Sequence, residues 1–168
     1  MNQSLILMRH AKSDWPVGVP DLDRPLSQRG TRNAEAAGRW IAGTLAKPDR
    51  IVVSTARRTR ETWDLVSSAA GFDPESAEFD PRVYAASWWD LLDLVRETPA
   101  QAQSLMLIGH NPSMEDLAEE LADTGKPEFL RQLRAKFPTS AVAVLTSDEP
   151  WPKWGSRTAT LENFGIPR

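Results

Sequence analysis

Leu5-Ile6-Leu7-Met8-Arg9-His10-Ala11-Lys12-Ser13 opens as a short apolar run and stops on a loop that carries a guanidinium, an imidazole and an ammonium group. A run of four apolar residues is too short for a helix, so it predicts a buried strand that delivers Arg9 and His10 at its carboxyl end. The arrangement recurs twice. Ile51-Val52-Val53 runs into Ser54-Thr55-Ala56-Arg57-Arg58, and Leu105-Met106-Leu107-Ile108 runs into Gly109-His110-Asn111-Pro112. In open α/β sheets, the loops beyond the strands' carboxyl ends converge on the ligand crevice. These three loops therefore predict one site that holds both histidines of the chain and at least two arginines.

The stretches between the strands have helical period, which predicts an α/β three-layer sandwich with a mostly parallel central sheet and helices on both faces. A helix over 31–46 should bury Ala34, Ala37, Ile41 and Leu45, and one over 56–70 should bury Leu65 and Ala69. Residues 87–97 carry Leu91, Leu94 and Val95 on one face, and 127–134 reads as a shorter helix. From Ser113, with Asp116 three residues on, a capping box is expected to start a helix that buries Met114, Leu117, Ala118 and Leu121. A fourth strand over 141–146, a turn through Ser147-Asp148-Glu149-Pro150 and an antiparallel partner over 158–161 complete the expectation. No repeat or linker signal interrupts the chain, so residues 1–168 are read as a single domain. Of its seven tryptophans, Trp40 and Trp63 are expected in the core or at its rim, and Trp15 at the mouth of the site.

Composition removes several function classes. The 168 residues are 40% hydrophobic and 26% charged, which suits a globular core, and no apolar run nears the roughly 18 residues of a membrane span. There is no cysteine, hence no sulfur nucleophile and no thiolate metal site. A net charge of −3 without a basic stripe argues against nucleic acid as a partner. Met1-Asn2-Gln3-Ser4 lacks the basic start of a secretory signal, so a cytoplasmic location is expected.

Two arginines and two histidines at one crevice suit a tetrahedral dianion, since guanidinium groups donate paired charge-assisted hydrogen bonds to phosphoryl oxygens. Phosphoryl transfer needs positioning and charge neutralisation above all, and a histidine in line with phosphorus can serve as the nucleophile. On these residues the sequence resembles the histidine phosphatase superfamily. Leu7-Met8-Arg9-His10-Ala11-Lys12-Ser13 is similar to its RHG motif in the form found in the SixA-like phosphohistidine phosphatases. Asp23-Arg24-Pro25-Leu26-Ser27-Gln28-Arg29-Gly30 resembles the R-P-L-(S/T)-x-x-G segment, 53–62 resembles S-P-x-x-R-A-x-Q-T, and 108–112 resembles G-H-N-P. Ala11 replaces the glycine of the first motif, and Thr55 replaces the usual proline of the third.

The resemblance implies a phosphoglycerate mutase-like fold and a metal-independent, cofactor-free phosphatase. His10 would be the phosphorylated nucleophile, with Arg9, Arg58 and His110 as catalytic binders of the phosphoryl oxygens. Arg58 stands four residues after Ser54, where the family's arginine stands; Arg57 and Arg60 are read as a solvated helix face. Lys12, Ser13 and Arg24 are further candidate substrate binders. The family's larger members carry an acidic proton donor, yet Tyr84-Ala85-Ala86-Ser87 offers no carboxylate, which leaves Asp14, Glu115 and Asp116 as candidates. A labile P–N bond needs less help from an acid than an alkoxide leaving group does. The expected partner is therefore a protein phosphorylated on histidine, such as a carrier, with small phosphoesters or mutase chemistry as the alternative. Two rivals stand outside the family: an aspartate nucleophile with magnesium at Asp21-Leu22-Asp23, and a silent phosphate-binding module.

Overall fold

The computed structural model describes residues 2–168. In chain order the elements are β1 (Gln3–Arg9), α1 (Gln28–Thr44), β2 (Arg50–Ser54), α2 (Arg57–Ala70), β3 (Ala77–Asp80), α3 (Trp88–Arg96), β4 (Ser104–Gly109), α4 (Ser113–Leu121), β5 (Ala122–Gly125), α5 (Pro127–Ala135), β6 (Val142–Ser147) and β7 (Ala159–Gly165). They build one seven-stranded sheet in the order β3-β2-β4-β1-β6-β7-β5, with β1 at its centre. β1, β2, β3 and β4 run parallel, while β6 is antiparallel to both of its neighbours, β1 and β7. The register sets Arg9 beside Gly109 and Val53 beside Ile108, so the three loops leave the sheet at one level.

Alternation along the strands splits the core in two. Leu5 and Leu7 of β1, with Leu105 and Leu107 of β4, pack under α3, α4 and α5. Ile6, Met8, Ile51, Val53, Met106 and Ile108 pack on the other face against Ala37 and Ile41 of α1 and Trp63 and Val66 of α2. The three-layer sandwich expected from the sequence is thus formed. Gly38 lets α1 and α2 approach closely, because a Cβ there would lie 2.6 Å from the Val66 carbonyl oxygen. Among the described residues, no helix is long and apolar enough to cross a membrane.

Several local expectations need correction. Ser113 does not cap α4; Pro112 is the N-cap residue, and Ser113 Oγ donates instead to the His110 carbonyl, so Asp116 has no capping box to join. A true capping box sits at Ser87 and Asp90, ahead of α3. α1 starts three residues earlier than expected because Ser27 caps it, accepting from the Gly30 amide. The buried face of α2 is carried by Trp63 and Val66, with Leu65 and Ala69 only half-buried, and Leu45 lies at the half-buried end of α1. The strands β3 and β5 were not expected: each has four residues, mostly polar or exposed, and so shows no apolar run.

Candidate active site

Arg9, His10, Arg58 and His110 line one cavity of about 240 Å³ at the carboxyl end of the sheet. β1 ends on Arg9, and the His10 amide continues the parallel pairing by donating to the Gly109 carbonyl at 3.0 Å. The first turn of α2 turns Arg58 inward, while its neighbours stay outside: Arg57 pairs with Glu61, and Arg60 donates to the Thr55 carbonyl. The loop that follows His10 is clamped from α1. A Cβ at Gly30 would fall 1.9 Å from the Lys12 carbonyl oxygen, so only glycine lets the helix come this close.

The His10 tautomer follows from its contacts. Nδ1 lies 2.7 Å from the Ala11 carbonyl oxygen, an atom that can only accept, so Nδ1 carries the proton and Nε2 is left with its lone pair. Burial, opposed in part by that hydrogen bond and reinforced by His110, Arg58 and Arg9, lowers the pKa from 6.5 to about 3. His10 is therefore a neutral imidazole at neutral pH, as a nitrogen nucleophile must be. His110 is held in the opposite tautomer. Its Nδ1 accepts from an Arg58 terminal N–H at 3.3 Å, and its Nε2 donates to the buried Ser54 Oγ at 2.8 Å. Burial first, then Arg58, lowers its pKa to about 4.

The two arginines are anchored by their terminal nitrogens. Arg9 donates to the Phe137 carbonyl at 3.2 Å, and Arg58 donates to the Asp21 carbonyl at 2.7 Å and the Asp21 carboxylate at 3.1 Å. Five buried side-chain polar atoms among the described residues lack a hydrogen-bond partner, and two of them are the Nε atoms of Arg9 and Arg58. Buried donors are almost always matched in folded proteins, and both of these unmatched donors belong to arginines that line the cavity. Arg9, Lys12, Arg24 and Arg58 line the cavity and, among the described residues, only Asp21 pairs with any of them there, which leaves an excess of positive charge suited to a phosphoryl dianion. A larger concavity, about 380 Å³, is lined by Asp116, Glu119 and Glu120 against Arg134 and Arg157, a net negative charge that is the wrong sign for such a group.

Lys12, Ser13 and Arg24 also line the cavity, but they differ in what they have free. Lys12 is exposed. Ser13 is buried and accepts from Arg24 at 2.6 Å. Arg24 has its remaining donors on the Asp14 carbonyl and the Asp21 carboxylate, and it stacks 3.2 Å above the exposed Trp15 ring, so it braces the rim. Asp21 sits in a 3₁₀ turn, bound to two arginines and Tyr84; it does not follow a strand, as the magnesium-dependent rival requires. Among the described residues no three His, Asp or Glu side chains gather as a metal site needs. Of the acid candidates, Asp14 and Asp116 are exposed, Glu115 is half-buried, and none lines the cavity.

Sequence reasoning missed the fourth wall. Thr139 lines the cavity, and the loop holding it is tied down by Asn111, which donates to the Phe137 carbonyl at 2.9 Å, and by the Ser140 amide, which donates to the Arg9 and His10 carbonyls. The string Phe137-Pro138-Thr139-Ser140 has no distinctive pattern; only the pairing of β6 with β1 brings it here.

A profile of the histidine phosphatase superfamily, branch 1, matches residues 5–149. The chain belongs to that superfamily. This histidine phosphatase is 34% identical over 163 residues to the uncharacterized protein Rv1276c of Mycobacterium tuberculosis, across 96% of this chain and 100% of that one. A protein of Nakamurella multipartitia, named as a SixA phosphohistidine phosphatase, superposes with a TM-score of 0.84 at 30% identity, covering 99% of this chain and 97% of its own. An Agrobacterium tumefaciens protein named likewise gives 0.79 at 32%, covering 98% and 99%. The histidine phosphatase is thus a SixA-like phosphatase with the fold of the phosphoglycerate mutases.

Proposed function

We propose that the protein removes phosphate from phosphohistidine on another protein, through a phosphohistidine formed at its own His10. The observation that carries this reading is a neutral His10, whose Nε2 lone pair is free, lining one cavity with Arg9, Arg58 and His110. Nε2 attacks phosphorus as the bond to the leaving group breaks, and the arginines and His110 take up charge on the equatorial oxygens. Water then attacks the phosphohistidine, releases inorganic phosphate and restores His10.

Two features favour phosphohistidine over an ordinary ester. Among the described residues, Asp21 is the carboxylate that ion-pairs with the site's arginines, and it is held well below the usual carboxylate range, first by the Tyr84 hydroxyl and then by Arg24 and Arg58, so it is a poor acid. An imidazole protonated on its other ring nitrogen leaves from phosphorus as a neutral molecule and needs no such acid, whereas an alkoxide does. The cavity is also smaller than the roughly 300–1,000 Å³ pockets that enclose whole small molecules. It suits a phosphoryl group presented end-on by a larger partner.

The test compares kcat/KM for a phosphohistidine-bearing carrier protein with a panel of small phosphoesters, alongside rapid quench for a labelled His10 adduct. A carrier preferred by at least tenfold supports the reading. A small ester turned over better than the carrier would transfer the assignment to a metabolite phosphatase or mutase of the same chemistry.

A further inference from the structure

We infer that Asp21 is a positioning residue for phosphoryl transfer: it grips both terminal nitrogens of Arg58 and thereby sets how that guanidinium is presented to the cavity. This rests on the reading of His10 as nucleophile and Arg58 as phosphoryl binder.

Arg58 makes two of its three side-chain hydrogen bonds to Asp21, one to the carbonyl oxygen at 2.7 Å and one to the carboxylate at 3.1 Å. The third goes to His110 Nδ1. A guanidinium is planar, so fixing both terminal nitrogens fixes the orientation of the whole group. Asp21 is itself held from two sides. Oδ2 accepts from the Tyr84 hydroxyl at 2.6 Å, and Oδ1 accepts from Arg24 at 3.0 Å. Tyr84 also packs edge-on against His110, so one contact chain touches both arginine and histidine. Asp21 lies in a 3₁₀ turn within residues 14–24, outside every helix and strand of the sandwich, so these side-chain contacts join that segment to Arg58.

Asp21 is an anion beside a site for anions. Its charge opposes ground-state binding of phosphate, while its grip serves the transition state, where geometry matters more. The two effects have opposite signs, which separates positioning from loop stitching.

The test is Asp21→Asn in the full-length chain, which keeps the side chain's size and replaces one acceptor with a donor. The readouts are kcat with the phosphodonor and the inhibition constants of inorganic phosphate and vanadate, the latter mimicking five-coordinate phosphorus. We expect kcat to fall about 10- to 100-fold, the scale of a misplaced reacting group. The preference for vanadate over phosphate should fall at least about tenfold, with phosphate binding held or improved. Phosphate and vanadate weakened by the same factor would mean loop stitching and overturn the role, as would wild-type kcat. If Asp21→Asn does not fold, Tyr84→Phe removes one hydrogen bond to Oδ2 and leaves both ion pairs; a two- to fivefold fall in the vanadate preference, on the order of one weakened hydrogen bond, is expected, and a wild-type value overturns the role. A wild-type enzyme that forms no His10 adduct would instead sink the functional reading itself, and this role with it.

Discussion

The strand-end cluster and the segment 14–24 that borders it are both rich in charge, yet they use their donors in opposite ways. Arg9 and Arg58 are anchored through their terminal nitrogens and keep Nε–H unmatched, and His10 keeps a lone pair on Nε2. Arg24, which shares Asp21 with Arg58, spends its donors on Asp14, Ser13 and Asp21. Arg24 thus has all three of its guanidinium nitrogens engaged by the protein, whereas His10, Arg9 and Arg58 each keep at least one nitrogen without a partner among the described residues. In the proposed mechanism the strand ends carry the chemistry and the segment beside them supports it.

The most severe test of that division is His10→Ala, which should remove the adduct and lower turnover by at least about 10⁴, the usual scale for loss of a nucleophile. A variant with wild-type turnover, or a label recovered on Asp21, would reverse the comparison. Arg58→Ala and His110→Ala should each cost about 10²–10³ in kcat and still form a slow adduct on His10, because each removes one partner of the developing charge. Arg24→Ala should sharpen the contrast with a loss of only about tenfold, since its contribution passes through Asp21 and Ser13; a loss equal to that of Arg58→Ala would erase the distinction between the two regions.

The histidines supply a pH test. Their folded pKa values, about 3 and about 4, lie below the unfolded value of 6.5, so between those limits the unfolded chain binds protons that the folded chain refuses. Stability is complete above pH 6.5 and is lost as pH falls through that window, by up to about 1.4 kcal/mol per pH unit for each histidine. Proton NMR of the only two histidines should show neither titrating between pH 8 and 5.5 in the free protein. An ordinary titration near 6.5 for His10 would contradict its burial and its proposed role as a neutral nucleophile. The smallest expected effect is that of EDTA, which should leave turnover unchanged; loss restored by magnesium would move the chemistry to Asp21 and Asp23.

What the sequence by itself determined was whatever depends on neighbours along the chain. The apolar runs before Arg9, Ser54 and Gly109 specify three strands, and the residues just past each strand specify the cluster, because in a parallel sheet those ends must lie together. Ser113 was misread as a cap for a reason of the same kind: the string fits a capping box, but the turn through His110 engages its hydroxyl first. Only the tertiary structure decided the tautomers of His10 and His110, the wall at Thr139 and the grip of Asp21 on Arg58. Asp21 lies 37 residues from Arg58 and 63 from Tyr84, and Asn111 lies 26 from Phe137. Hydrogen bonds between groups so far apart leave no periodicity to read, since their partners are chosen by packing across the sheet's end and not by spacing along the chain.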